Sequence, residues 1–243
     1  METQKELELL LARAAQCVQR GFVGGTSGNV SLRLGDRIFI SPTGERLDEL
    51  TAEGMTVLNA ADGAVLSGPA PSKEWRMHWE IYQTRPEVRA VFHLHPLDCI
   101  AASILLWPER ELPLYAPAHG IKLGRVRLVG LYRAGSEALA QSTAAEFARQ
   151  DVNAVLLHRH GCIVAAPTVN AAYGKTEYLI EACTPCCGAP EPCLRMPFSS
   201  TGPSPSPARP RRQKRRNDPC IPACPPRESS CAPGTSLPPT AAL

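Results

Sequence analysis

Long apolar runs are missing from this sequence: no stretch approaches the ~18–20 residues of a membrane-spanning helix, which argues against insertion in a membrane. Its first residues, Met1-Glu2-Thr3-Gln4-Lys5-Glu6, lack the basic start and apolar segment of a secretory leader. Paired cysteines are scarce over most of the length. Before Cys183 there are three, Cys17, Cys99 and Cys162, in apolar surroundings and without paired spacing. Such thiols suit a reducing compartment, where they act as small hydrophobes. A soluble cytoplasmic protein is expected. An excess of charge is lacking too: 26 basic residues against 23 acidic ones give a net +3, which by itself implies no acidic partner.

The composition breaks near Cys183. Residues 183–243 hold 15 of the 24 prolines, 7 of the 10 cysteines, 8 of the 26 basic residues and 3 of the 23 acidic ones, with a single aromatic, Phe198. The basic balance therefore belongs to this tail and not to residues 1–182. A segment so poor in periodic apolar residues cannot offset its ordering entropy, and a disordered or divergent tail is expected over 183–243. Cys183-Thr-Pro-Cys-Cys187 and Cys220-Ile-Pro-Ala-Cys224 have no accompanying histidines and no paired zinc-finger spacing. The basic run Arg209–Arg216 has no interleaved aromatics to stack on bases. Neither a nucleic-acid nor a membrane partner is expected.

What is present alternates between helical and extended patterns. Apolar spacing predicts helices over Glu6–Arg20 with Gly21 as C-cap, Glu74–Arg85 with Ser72 as N-cap, Leu97–Leu106, Ser136–Arg149, and from Thr168 to about Ala182. A short helix is expected near Leu47–Glu53. Strands are predicted at Val30–Leu34, Arg37–Ser41, Thr56–Asn59, 89–94, Ala154–His158 and Cys162–Ala165, with Ile121–Val129 extended. Several of these strands join through tight turns. The expected fold is therefore α/β, a sandwich around a mixed, mostly antiparallel sheet.

The chemistry-bearing residues cluster at strand ends. His93 and His95 stand two apart, so their side chains share one face of a strand. Two imidazoles there make half of a metal site, since a catalytic zinc takes three protein ligands and keeps an open position. His158 and His160 repeat the spacing. His160 is preferred as a ligand because Gly161, lacking Cβ, lets another group approach closely; His158 is left a supporting or structural role. Glu74 is the natural fourth ligand, although a first-turn carboxylate is also explained by the positive helix start alone. His78, one turn on, reads as a packed or hydrogen-bonded partner. Three loops, Thr26–Asn29, Ser41–Gly44 and Pro71–Lys73, offer hydroxyls and backbone N–H groups of the kind that bind phosphate.

Six ordered segments carry a resemblance: Gly25-Thr-Ser-Gly-Asn-Val-Ser31, Ile40-Ser-Pro-Thr-Gly44, Pro71-Ser-Lys-Glu-Trp-Arg-Met-His78, Ile81-Tyr-Gln-Thr-Arg-Pro-Glu-Val88, Ala90-Val-Phe-His-Leu-His-Pro96 and His160-Gly161. Over about residues 5–182 the chain resembles the class II aldolase/adducin family. The resemblance implies a three-layer α/β/α sandwich and a homotetramer with active sites between subunits. It implies a divalent metal, typically Zn2+ with Mn2+ or Co2+ as alternatives, held by Glu74, His93, His95 and His160. Phosphate or substrate contacts would fall on Gly28, Asn29, Thr43, Gly44, Ser72 and Lys73.

The implied activity is a metal-dependent carbon–carbon lyase that cleaves a small phosphorylated ketose through an enediolate, with Glu74 as catalytic acid/base and Tyr115 or Tyr132 as candidates for the hydroxyl proton. Two features depart from the family's aldolases. Lys73 stands where they often carry a second serine, and this, with the run Gly120–Tyr132, is closer to the family's 3-oxo-tetronate-phosphate decarboxylases. A sugar-phosphate 4-epimerase would use the same site. The family's last helix also continues where this chain changes character at Cys183. Outside enzymes, the alternative is an adducin-like binding module that keeps the fold without the metal chemistry.

Overall fold

The computed structural model describes residues 2–188. The chain opens with α1 (Glu2–Gln19), whose buried stripe of Leu7, Leu10, Ala14 and Cys17 follows the helical period. Gly21 ends it at φ 72°, with Gly21 N–H bonded to Val18 O and Phe22 N–H to Cys17 O, the pairing that a left-handed C-terminal glycine permits.

Eight strands form one sheet: β1 (Asn29–Leu34), β2 (Arg37–Ile40), β3 (Thr56–Asn59), β4 (Val65–Ser67), β5 (Ala90–Leu94), β6 (Arg125–Val129), β7 (Val152–Leu157) and β8 (Gly161–Ala166). Their order is β4-β3-β2-β1-β5-β8-β7-β6, and every neighbouring pair is antiparallel except β6–β7. The remaining helices are α2 (Trp75–Thr84), α3 (Leu97–Leu105), α4 (Pro117–Leu123), α5 (Glu137–Phe147) and α6 (Val169–Gly188). Alternation along the strands divides the apolar residues into two cores. Val30, Leu32, Ala90, Phe92 and Leu94 face the side of α1, α3 and α6. Ile38, Ile40, Val91 and Ile163 face α2 and α5. The architecture is thus an α/β/α sandwich with a mixed, mostly antiparallel sheet, as the hairpin turns predict. Each fully buried leucine or phenylalanine contributes on the order of 1.5–3 kcal/mol of transfer free energy.

Several local expectations are corrected. Residues 47–53 form turns and not a helix: Glu49 N–H bonds to Arg46 O, and the Thr51 side chain takes the N–H of Gly54, a local bond that competes with helix. The extended reading of 121–129 is half right. Pro117 starts α4 and Gly124, at φ 69°, ends it before β6 begins. The short strand β4 is exposed at every residue, so it has no burial pattern to betray it. At α2 the N-cap residue is Glu74, while Ser72 Oγ accepts from Glu74 N–H at 3.3 Å.

The last helix continues past Ala182 to Gly188, with Cys183 and Cys186 buried in the core. Pro185 lies inside it; the adjacent Thr184 hydroxyl lies 3.0 Å from Ile180 O and 2.8 Å from Asp98 Oδ2. Residues 189–243, and with them most of the expected tail and its cysteine and arginine motifs, lie outside the described residues. Among the described residues Cys17, Cys99, Cys162, Cys183 and Cys186 are buried; burial pushes the Cys17 thiol up to about 12. No helix among them is long and apolar enough to cross a membrane.

Candidate metal centre

β5 lies between β1 and β8, with Asn29 opposite His93 and Ile163 opposite His93 on the other side. This register brings the start of β1 and the β7–β8 turn to the same end of β5. His93 is fully buried on the face toward α2, and His95 follows just beyond the strand. The turn at 158–160 carries His160 back toward them. It is pinned from below, since Ser103 O accepts from His158 Nδ1 at 2.9 Å and Ser103 Oγ accepts from Arg159 N–H at 3.0 Å. His158 therefore points away, its ring 4.8 Å from that of Trp107. Gly161 is needed for the approach: a Cβ there would lie 2.4 Å from Leu94 O and 2.7 Å from His95 Cδ2. Glu74, at the entrance to α2, is buried and points at the same spot.

One ligand atom from each of Glu74, His93, His95 and His160 lies within 4.8 Å of the others. His93 Nε2 is 2.9 Å from Glu74 Oε2 and 2.9 Å from His95 Nε2, and His160 Nε2 is 3.4 Å from Glu74 Oε1. The proton count explains what such crowding needs. His93 Nδ1 faces Cys162 O at 2.9 Å, and a carbonyl only accepts. A ring that keeps its proton on Nδ1 presents Nε2 as a lone pair, the form in which histidine takes a metal. Glu74 Oε1, buried, has no hydrogen-bond partner. A cation among these atoms resolves the facing lone pairs, and three imidazoles with one carboxylate are a donor set that suits zinc, manganese or cobalt. The residues present fit a divalent metal.

Electrostatics keep the donors ready. Burial pushes His95 down to about 3, helped by His93 and His160, and burial also lowers His160. Both rings are neutral near neutral pH, the form that binds metal. For Glu74, burial alone raises the pKa. The facing His93 and His160 rings and the Asn29 amide outweigh it and hold the carboxyl well below its usual range.

The three Gly/Ser/Thr loops also meet. Pro42 and Pro71 bridge, Ser72 N–H bonds to Ser41 O at 3.1 Å and Thr43 N–H to Ala70 O at 3.1 Å. Ser41 Oγ accepts from Val30 N–H at 3.1 Å, which ties the pair to the start of β1. Those two backbone N–H groups are thereby committed within the protein, while the side chains of Thr43 and Lys73, and Gly44, are exposed. Gly28 packs at φ 75° against His93 O, 3.0 Å from where its Cβ would be. Tyr115 and Tyr132 are both exposed, at 39% and 41%.

Sequence reasoning gave His78 a partner but missed which. The Asn29 carboxamide donates to Glu74 Oε2 at 3.3 Å, and its oxygen is 2.5 Å from His78 Nε2. His78 Nδ1 is 2.7 Å from Ser31 Oγ, which is 2.7 Å from Tyr82 Oη. All of Asn29, Ser31, His78 and Tyr82 are buried. The available signal was parity: Asn29 and Ser31 share a strand face, and His78 and Tyr82 share a helix face.

Comparison with known proteins follows the same geometry. Residues 8–185 match the Class II Aldolase and Adducin N-terminal domain. The chain is 34% identical over 183 residues to the 3-oxo-tetronate 4-phosphate decarboxylase of Haemophilus influenzae, covering 73% of this chain and 84% of that protein. It is 36% identical over 162 residues to the L-fuculose phosphate aldolase of Methanococcus vannielii, covering 67% and 84%. The crystal structure of YgbL from Escherichia coli superposes with a TM-score of 0.71 at 33% identity, over 76% of this chain and 89% of that one.

Proposed function

Because the chain belongs to the class II aldolase and adducin family, we propose that it is a metal-dependent carbon–carbon lyase acting on a small phosphorylated sugar. The observation that carries this reading is the convergence of Glu74, His93, His95 and His160 within 4.8 Å, which a binding module without chemistry does not require. These four residues hold the metal, Zn2+ being the first candidate. When bound there, a divalent cation supplies Lewis acidity toward the substrate's carbonyl and adjacent hydroxyl oxygens.

The chain's own residues do the rest. Gly28, Asn29, Thr43, Gly44, Ser72 and Lys73 bind and orient the phosphate end, with Lys73 as the point charge. Burial of Glu74 and His93 keeps bulk water from the reacting carbon. The hydroxyl on the leaving carbon gives up its proton, for which Tyr115 and Tyr132 are the candidate carriers, and becomes the aldehyde carbonyl as the carbon–carbon bond breaks and its electron pair passes into the neighbouring carbonyl as an enediolate. Glu74 carries the proton to that carbon, or from it in the reverse direction. Active sites shared between subunits of a homotetramer, in the cytoplasm, complete the reading.

A decarboxylase is the second reading, and Lys73 favours it, since its place in the Ser72-Lys73-Glu74 run resembles the family's 3-oxo-tetronate-phosphate decarboxylases, one of which is 34% identical to this chain. The same enediolate then forms with loss of carbon dioxide. Purified protein, loaded with Zn2+, is tested with L-fuculose 1-phosphate and with 3-oxo-tetronate 4-phosphate. Aldehyde release from the first supports the aldolase, and carbon dioxide from the second supports the decarboxylase. Absence of bound metal after gentle purification, with both substrates untouched, leaves the adducin-like module.

A further inference from the structure

The buried hydrogen bonds behind Glu74 favour one arrangement of protons, in which the shorter contact of each group is the one that is made. An ionised carboxylate only accepts, so the Asn29 group 3.3 Å from Glu74 Oε2 is the amide nitrogen. The amide oxygen then faces His78 Nε2 at 2.5 Å, so Nε2 bears the ring proton. That leaves Nδ1 an acceptor, and Ser31 donates to it at 2.7 Å. Ser31 Oγ, having spent its proton, accepts from Tyr82 Oη at 2.7 Å, the shorter of that hydroxyl's two contacts, the other being Arg89 O at 3.3 Å. Four donors thus point one way, from the body of α2 toward the carboxylate, inside a fully covered layer between β1 and α2. Burial pushes His78 down to about 3, which agrees with a neutral ring.

We propose that His78, held as the Nε2–H tautomer by Ser31 and Tyr82, is a positioning residue: it sets the Asn29 carboxamide so that Glu74 Oε2 is tied down and Oε1 is the oxygen left for the chemistry. The proposal rests on the reading of Glu74 as the proton carrier in its last clause only; the relay stands or falls separately. Oε1 is the carboxylate atom without a hydrogen bond, as the arrangement requires. Rotation of the Asn29 amide would set its oxygen against the carboxylate, and the neutral Nε2–H tautomer of His78 prevents that.

The test uses the full chain loaded with Zn2+. Nitrogen-15 spectra of histidine-labelled protein read the ring directly, with the H78Q variant assigning the signal. A neutral His78 protonated on Nε2 from about pH 5 to about pH 8 is expected; a ring protonated on Nδ1, or an imidazolium, overturns the relay whether or not the protein is active. Kinetics with L-fuculose 1-phosphate and 3-oxo-tetronate 4-phosphate then separate positioning from structure. H78L should lower kcat about 10- to 100-fold with KM and bound zinc per chain little changed. H78Q, which returns an amide N–H to Asn29 Oδ1, should recover most of the loss. Equal loss in both variants, or wild-type kcat in H78L, overturns the proposal. If H78L does not fold, H78Q decides: near wild-type kcat supports the proposal, and a large loss of kcat refutes it. Wild-type turnover in E74Q would sink the role of Glu74 while leaving the tautomer result intact.

Discussion

Gly161→Ala asks the fold to accept one methyl group at the tightest point of the metal centre. The added Cβ would stand 2.4 Å from Leu94 O and 2.7 Å from His95 Cδ2, whereas ordinary contact starts at 3.4 Å. Leu94 cannot rotate aside, because its carbonyl belongs to β5 and its residue pairs with Cys162 on β8. The start of β8 must therefore back away by about 1 Å in a close-packed interior, and the displacement falls on the turn carrying His160 and on His95.

A misplacement of ~1 Å in a reacting constellation costs on the order of 100-fold in rate. Overpacking of this kind costs about 1–3 kcal/mol, and for a domain of this size each kcal/mol lowers Tm by roughly 2–4 °C. The expected result for G161A is weaker zinc retention against a chromophoric chelator, a lower calorimetric midpoint, and turnover reduced about 100-fold. Gly174→Ala is the control: it lies inside α6 with no heavy atom within 4 Å of the new Cβ, and alanine is favoured over glycine in a helix by ~1 kcal/mol. Wild-type zinc retention, midpoint and turnover in G161A, or an equal loss in G174A, would refute the reasoning.

Three further outcomes are expected. Glu74→Gln keeps the shape but removes the charge and the proton-carrying oxygen, and kcat should fall about 10²–10⁴-fold in steady-state assays, with the fold retained by circular dichroism. Arg85 is buried with its guanidinium bonded to Phe147 O at 3.3 Å, Arg149 O at 3.3 Å and Val152 O at 3.0 Å; Arg85→Met strips those carbonyls and should cost about 2–4 kcal/mol in urea unfolding, with less effect on zinc content. His78 has a folded pKa of about 3, below the ~6.5 of an exposed histidine. The unfolded chain therefore binds the extra proton first, and the stability His78 confers is whole above about pH 6.5 and is lost as pH falls toward 3. The slope from this group approaches ~1.4 kcal/mol per pH unit, so denaturant midpoints of H78Q should depend less on pH in that window; parallel curves for the two proteins would contradict the assignment.

How much was legible depends on the range of the interaction. His93 with His95, and His160 before Gly161, could be read because strand parity and a missing Cβ are local facts. Glu74 was nameable, though its first-turn place has a purely local explanation as well. The relay through Asn29, His78, Ser31 and Tyr82 was legible only as two separate parities, since which strand face meets which helix face is settled by packing. The misread stretch 47–53 shows the opposite failure: its apolar pattern suggests helix, but Thr51 and the neighbouring carbonyls satisfy the backbone locally. Beyond Ala182 the change in composition signals an end, yet Cys183 and Cys186 are apolar enough for the core to carry α6 on to Gly188.

By itself the sequence determined the menu: periodicities that choose helix or strand, hairpin turns that make the sheet mostly antiparallel, and imidazoles at strand ends. The tertiary structure decided the distances. Antiparallel pairing of β5 with both β1 and β8 places Asn29 and the His160 turn at one end of His93, and the seat of α2 on that sheet aims Glu74 at them. The reason is physical: local patterns fix torsions and faces, while the meeting of groups far apart in the chain exists only once a shared core has offset the entropy of closing the loops between them.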